Sequence, residues 1–593
     1  MGMTRRPSSR NPRPWLPAVI SSATCPGSSS MRLRPALLLA ALLTTAASAG
    51  AVEGPARQMV AAAHPLAARA GLDILRAGGS AADAAVAVQA VLSVVEPNAT
   101  GLLGGALLLH WDAAARRLAG YEGIASAPAA ATSRLVEAAD GTRVGAATVA
   151  RSGRAVGVPG TLRMLALVHA DHGRLPWRDL LAPAIRAAEE GFPMPPTLHR
   201  VIGARASELA RDPDIRALYF GPDGKPLPVG TPIRNPAQAA ALRLLAQAGS
   251  EALYRGPLAG AVLEATGREP VSGWMTAEDL ATYEAKRRDP VCSAAFGRQV
   301  CSASPPSSGG VALQQQVGML DRLGIARLAP DSAEAAHLIL EASRLATADR
   351  RRWMGDPDRV PVPTAPLVSP TYLEARARLI DPARAMAEAS AGNPLERHGG
   401  LPAASDPLAL AGTSHVAIVD AAGDAVSFTT TNNLNFGAER LAAGITLNNG
   451  LTNFAANPGP AESPAFNAMA GGKRPVTTMA PTIVLGADGM PELVVGAGGG
   501  ARIVDSVAVA VVEVLAWGAD TRRATGRPRI GAQNGEEELE ANTPAAALAE
   551  PLRAMGHAPR VGEMNTGLQL IRRVPGGWEG AADPRRDGVA LGD

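Results

Sequence analysis

The sequence predicts an α+β fold, with helices and antiparallel sheet concentrated in different stretches of the chain. Three observations carry this. Residues 64–96 (HPLAARAGLDILRAGGSAADAAVAVQAVLSVVE) have the apolar spacing of helices, broken once by Gly78-Gly79-Ser80. From Thr413 onward, short alternating runs come in pairs around Gly-containing turns, the pattern of antiparallel hairpins. At 593 residues and 47% hydrophobic, the chain is too long for one ordinary core and too apolar to be disordered.

In chain order, residues 1–49 carry six Arg and no acid. From Met31 they read MRLRPALLLAALLTTAASAG: a basic start, a short apolar run and Ala47-Ser48-Ala49 in a small-x-small pattern. This predicts a secretory signal cut near Ala49, and so a periplasmic or secreted protein. An N-terminal anchor or an unstructured leader is the alternative. The remaining chain holds 51 basic and 54 acidic residues. That balance, with only 3% aromatics, argues against a nucleic-acid partner. No later segment has the length of clean apolar sequence that a stable membrane span needs.

Ser80 is positioned to cap the second of the two opening helices. GLLGGALLLHW then leads into a strand pair around Asp112. Residues 160–350 are expected to be mostly helical. Cys292 and Cys301 flank SAAFGRQV, two short extended runs around a turn; a disulfide across that hairpin or two buried thiols both fit. His169 and His172 lie one helical turn apart with no third ligand nearby, which predicts a surface pair and no metal site. Residues 396–412 read as an exposed connector. SHVAIVD and AVSFTTT form the first C-terminal hairpin, APTIVLG and ELVVGAGG the second. ARIVDSVAVAVVEVLAWG follows as a helix, and GLQLIRRV…GWEGAA as a final strand pair.

The chemistry centres on Gly412-Thr413, where the connector meets the first strand. A Thr hydroxyl is a weak nucleophile unless a base stands beside it. An N-terminal Thr supplies that base as its own α-amine, which titrates at about 7.7–8.0. Cutting the chain before Thr413 would create this amine. Gly412, lacking a side chain, leaves its carbonyl open to the hydroxyl. GAGGGA at 496–501 also fits G-x-G-x-x-A, a loose dinucleotide fingerprint. No βαβ alternation surrounds it, so no nucleotide or other cofactor is expected.

The order and spacing of GGSAADAAVA (78–87), PPSSGG (305–310), TSHVAIVDAAGDAVSFTTTNN (413–433), FGA (436–438), GITLNN (444–449), KRPVTTMAPTIV (473–484), GAGGGARI (496–503) and ADPRRDG (582–588) resemble the gamma-glutamyltransferase family of N-terminal-nucleophile hydrolases. The resemblance implies a four-layer αββα sandwich with two stacked antiparallel sheets. It implies a precursor that cleaves itself into a large subunit (50–412) and a small one (413–593), which stay together as a heterodimer. Thr413 matches the nucleophile, Thr431 the Thr that supports it, and Gly499 and Gly500 the oxyanion-hole amides. Asn433, Asn453, Thr477 and Thr478 fall at substrate-binding positions.

Two departures bear on the substrate. Ile124 stands where the family has an Arg that meets the donor's α-carboxylate. Asn453 stands where it has an Asp for the α-ammonium. Ile cannot form the charge-assisted pair, and Asn keeps an acceptor without the charge. Arg440 or Arg474 could replace the missing Arg through altered loops. Otherwise the donor is expected to be an amide without a free amino-acid head, such as a glutaryl-type amide. The segment between Phe454 and Lys473 looks short, which predicts an open site favouring hydrolysis over transfer. The expected activity is therefore that of a self-processing amide hydrolase or acyltransferase acting on a small-molecule amide or peptide. Conventional glutathione hydrolysis and a non-catalytic exported binding protein are the alternatives.

Overall fold

The computed structural model describes residues 55–137, 142–269, 271–396, 401–405, 412–533 and 536–593. The leader and signal peptide expected at 1–49 and most of the connector expected at 396–412 lie outside the described residues. Thirteen strands build two central sheets. They are β1 (Met59–Ala62), β2 (Gly105–Asp112), β3 (Arg117–Gly123), β4 (Lys286–Arg288), β5 (Val291–Ala295), β6 (Arg298–Ser302), β7 (Ser414–Val419), β8 (Ala425–Thr431), β9 (Thr482–Leu485), β10 (Pro491–Gly498), β11 (Gly567–Val574), β12 (Gly577–Ala582) and β13 (Val589–Gly592). One sheet runs β13-β1-β7-β8-β2-β3-β4, the other β12-β11-β10-β9-β6-β5. Every pairing within both is antiparallel.

Helices α1 (Pro65–Arg76) and α2 (Ala81–Val95) cover the first sheet. Helices α3 (Ser308–Arg322), α4 (Ala333–Trp353) and α5 (Ile503–Leu515) stack against the second, with α3 and α5 directly on its strands. Ser80 caps α2 in a capping box with Asp83: each side chain bonds the other's backbone N–H. Gly78 turns the chain between α1 and α2 at φ +86°.

Period-2 alternation decides which core each strand residue enters. Val416 and Ile418 face the helices over the first sheet, whereas Ala417 and Val419 enter the core between the sheets. In the second sheet Leu493 and Val495 face the helices, and Val494 faces inward. Both faces of these strands are covered, so they read as apolar runs and as alternating ones at once. Trp111, 2% exposed, spans the inter-sheet core. Its truncation to Ala would cost about 3–5 kcal/mol. This is the four-layer αββα arrangement of the sequence reading.

Within the otherwise helical 160–350 region, the two extended runs expected around Cys292 and Cys301 are β5 and β6, with β5 at the edge of the second sheet, and β4, which the helical expectation lacked, is an edge strand of the first. Cys292 and Cys301 face each other in the β5–β6 register, their Cα atoms 4.1 Å apart, and form a disulfide. His169 and His172 are half-buried, not a bare surface pair. His169 Nε2 lies 2.9 Å from the Leu175 carbonyl, and His172 Nε2 lies 2.8 Å from the Tyr121 hydroxyl. Among the described residues no helix is long and apolar enough to cross a membrane.

Candidate active site

Thr413 and Thr431 are neighbours because of strand register. β7 and β8 pair as far as Ser414 opposite Thr430. One more step in that register sets Thr413 against Thr431, with hydroxyl oxygens 3.1 Å apart. The Thr431 hydroxyl also bonds the Gly412 carbonyl, and it accepts the Asn433 N–H at 2.8 Å. One hydroxyl thus touches both the candidate nucleophile and the carbonyl of the candidate scissile bond. Gly412 has φ +127°, and a Cβ there would lie 2.8 Å from the backbone at Leu434 and Asn435. Both facts require glycine.

Thr413 is held from behind by groups that the sequence reading did not single out. Arg586 Nη1 donates to the Thr413 carbonyl at 2.7 Å and lies 3.5 Å from Glu96 Oε1. Glu96, just past the end of α2, accepts from the Ser414 hydroxyl at 2.6 Å. Burial raises the Glu96 pKa, and Arg586 and the Ser414 hydroxyl oppose that rise. Gly498 ends β10 so close beneath that a Cβ would collide with the Thr413 carbonyl. Arg586 and Gly498 lie in ADPRRDG and GAGGGARI, so the signal was in the quoted blocks. Their roles were not, because their partners are distant in sequence.

Gly499 (φ +139°) and Gly500 (φ +62°) turn the chain sharply between β10 and α5. The Thr478 hydroxyl donates to the Gly500 carbonyl at 2.9 Å and braces this turn. The neighbouring strands β9 and β11 run antiparallel to β10. Gly496 lies under the His415 ring, where a Cβ would come within 2.3 Å of it. The glycine run therefore serves close packing, and the dinucleotide alternative has no βαβ unit to rest on.

A small cavity opens beside Thr431, walled by Ile124, Asn433, Asn453, Thr477 and Met479 among others. Five of the expected residues meet around this end of the sheets: Thr431, Asn433, Asn453, Thr477 and, through the glycine turn, Thr478. They are not equally free. Asn433 Nδ2 donates to Thr452 Oγ1 at 2.7 Å and to the Asn449 carbonyl at 3.2 Å, so it shapes the 449–453 loop. The Thr477 carbonyl accepts both the backbone N–H and the hydroxyl of Ser308, at 2.8 and 2.7 Å. Asn453 Oδ1 is buried and has no hydrogen-bond partner.

Neither alternative Arg reaches this cavity. Arg440 donates to the carbonyls of Ala265, Arg268 and Glu269. Arg474 pairs with Glu122 at 2.6 Å and donates to the Glu284 carbonyl at 2.7 Å. Ile124, 4% exposed, keeps the expected Arg position apolar. The 455–472 segment is tied down. Phe466 packs edge-on against Trp353, and the Lys473 ammonium donates to the Phe466 and Ala468 carbonyls at 2.6 and 2.8 Å.

Comparison with known proteins agrees with this geometry. The gamma-glutamyltranspeptidase family model matches residues 67–593. The glutathione hydrolase proenzyme of Bacillus subtilis (strain 168) is 33% identical over 546 residues, 90% of this chain and 91% of its own. The acylase ACY 1 proenzyme of Pseudomonas sp. (strain SE83) is 36% identical over 548 residues, 90% of this chain and 93% of its own. The crystal structure of cephalosporin acylase from Bacillus halodurans superposes with TM-score 0.78 at 28% identity, covering 91% of this chain and 96% of that one. Sequence blocks, layer order and these matches converge: the chain belongs to the gamma-glutamyltranspeptidase family and is an amidohydrolase/acyltransferase with the N-terminal-nucleophile hydrolase fold.

Proposed function

We propose that the chain cuts itself between Gly412 and Thr413 and that Thr413 is then the nucleophile of an exported amide hydrolase. The products are a large subunit of residues 50–412 and a small one of 413–593, held together by the shared sheets. The observation that carries this is the Thr431 hydroxyl, bonded to the Gly412 carbonyl and 3.1 Å from Thr413 Oγ1. In the precursor, the Thr413 oxygen attacks the Gly412 carbonyl carbon, while Thr431 polarises that carbonyl. The Gly412–Thr413 C–N bond breaks, the nitrogen takes the hydroxyl proton, and water hydrolyses the resulting ester. Thr413 is left with a free amine.

In turnover, that amine takes the hydroxyl proton as the oxygen attacks the substrate amide carbon. The Gly499 and Gly500 amides receive the developing oxyanion. Donors of this kind contribute about 3–4 kcal/mol each. The proton passes to the leaving amine, and water resolves the acyl-ester. Asn433, Asn453, Thr477 and Thr478 shape the acyl cavity. Ile124 and the neutral Asn453 support a donor without the α-carboxylate and α-ammonium of a γ-glutamyl group, a glutaryl-type amide being the model. The similarity to a glutathione hydrolase keeps γ-glutamyl hydrolysis as the second reading. The disulfide supports an oxidising, extracytoplasmic location. Intact mass and N-terminal sequencing of the purified protein test the core of this reading. Two chains, one beginning Thr-Ser-His, are expected; a single uncut chain with no amidase activity would make it a binding protein.

A further inference from the structure

A buried cluster that the proposed mechanism does not use joins residues from the two sides of the 412–413 bond. His337, Glu341 and Arg344 share one face of α4, at i, i+4 and i+7. Glu537 comes from the strand Glu536–Glu540, and His557 follows the helix Ala549–Ala554. Each of these five side chains is at most 9% exposed, so their polar atoms depend on one another. The two rings form a chain. His337 Nε2 lies 2.7 Å from the Asp381 carbonyl, His337 Nδ1 lies 2.7 Å from His557 Nε2, and His557 Nδ1 lies 2.8 Å from Glu537 Oε1.

The chain ends on two acceptors, a carbonyl and a carboxylate. Each of its three links needs one proton, and two neutral imidazoles carry only two. Without a third, two buried lone pairs would face each other across one link. The charges lead to the same count. Among the described residues, the charged groups that meet the pair are Glu341 and Arg344 on α4, Asp381 after the helix Pro370–Ala377, and Glu537. Asp381 offers the pair its carbonyl, and its carboxylate accepts the Ala383 N–H at 2.9 Å. Arg344 bonds Glu341 at 2.8 Å and lies 3.6 Å from Glu537, one cation against two carboxylates. A proton on the rings balances the second. Burial raises the Glu537 pKa, but His557, the Ala558 N–H and Arg344 together hold it below the usual carboxylate value. Burial lowers that of His337, which keeps its Nδ1 lone pair as an acceptor. We propose that the His337–His557 pair holds one proton beyond those of two neutral rings, and that this proton closes a clasp between the 337–387 and 537–558 segments. Placing these segments in different subunits rests on the cut before Thr413; the proton does not. It belongs to the pair, not to either ring. The unfolded chain releases it around the ordinary histidine value of about 6.5 and the folded chain at higher pH, so the clasp's contribution is complete below that value and is lost as pH rises.

Imidazole NMR of the full-length protein, labelled with heavy nitrogen in histidine, counts the protons directly. At pH 7.5, where an ordinary histidine is only about one-tenth protonated, one ring is expected to carry protons on both nitrogens and to lose that signature in His557→Gln. A spectrum without such a ring, or one unchanged by the substitution, overturns the proposal. The stability test uses the uncut Thr413→Ala chain, so it does not depend on processing. Between pH 7 and pH 8.5 its unfolding equilibrium constant, from chemical denaturation, should rise by up to about tenfold per pH unit more steeply than that of Thr413→Ala/His557→Gln. Slopes that agree within about 1.5-fold per pH unit also overturn it. Should His557→Gln fail to fold, the parent's spectrum decides. A doubly protonated ring in a protein that is never cut would instead sink the Thr413 reading and leave the shared proton standing.

Discussion

Thr431 Oγ1 touches both sides of one peptide bond, lying 3.1 Å from Thr413 Oγ1 and bonding the Gly412 carbonyl. Thr431→Ala removes the hydroxyl that polarises this carbonyl. A buried hydrogen bond lost from one partner costs about 1–3 kcal/mol. Self-cleavage should therefore slow by about 5- to 150-fold, read as precursor remaining over time on a denaturing gel. Thr431→Ser should restore most of the rate, and a Ser variant as slow as Ala would remove Thr431 from the mechanism.

Gly412→Ala acts through the backbone. At φ +127°, with the Leu434–Asn435 backbone 2.8 Å from the new methyl, the segment must move. Strain of this kind costs about 1–3 kcal/mol. The expected result is a precursor that accumulates while its circular dichroism matches that of Thr413→Ala. Cleavage at the parent's rate would show that this geometry is not needed.

Arg586→Met should be more damaging than Glu96→Gln. Removing Arg586 leaves Glu96 buried beside no cation, and a broken buried pair costs about 3–5 kcal/mol. Gln at 96 can still accept from the Ser414 hydroxyl, and Arg586, though it loses the Glu96 carboxylate, keeps its bond to the Thr413 carbonyl. Chemical denaturation of each variant in a Thr413→Ala background separates stability from processing. A double variant that loses the sum of the two single losses would mean the pair is not electrostatically coupled.

Acid should destabilise the fold through buried histidines. Burial lowers the pKa of His64 to about 4, and those of His110 and His415 to about 3. Their stabilising neutral forms are complete above the unfolded value of about 6.5. As pH falls below it, the unfolded chain binds protons first, and stability drops by about 1.4 kcal/mol per pH unit per histidine. His64 Nδ1 accepts the Leu66 N–H as the cap of α1. His64→Asn keeps a capping acceptor without a titrating ring. The loss of melting temperature between pH 7 and pH 5 should be smaller in this variant. An unchanged loss would remove His64 from the acid response.

Cys292→Ser/Cys301→Ser opens a loop of sequence separation 9 across β5 and β6. Loop-closure entropy for so short a loop is worth about 2–3 kcal/mol. The double variant should unfold at correspondingly lower denaturant, and the parent should lose the same amount on reduction.

Much of this was readable in one dimension. Capping at Ser80, the β7–β8 and β9–β10 hairpins and the apolar alternation of their strands are local, set by residues within a few positions of one another. So is the Gly412-Thr413 step at the end of a connector. Ile124 and Asn453 were visible as departures because the surrounding blocks fix their alignment. Whether Cys292 and Cys301 pair could not be read locally, since register alone makes their Cα atoms neighbours.

The order of residues by itself determined the α+β class and the hairpins, because these follow from short-range periodicity and turn chemistry, and it marked the candidate nucleophile through the ordered blocks that carry the family resemblance. Tertiary structure decided which of the remaining residues share a site. Glu96, Thr413 and Arg586 are separated by hundreds of positions and meet only because β7 pairs against β8 beside the end of α2. The same packing sent Arg440 and Arg474 to other partners. A long side chain's destination depends on which carbonyls and carboxylates the fold places within its reach, and no local pattern carries that information.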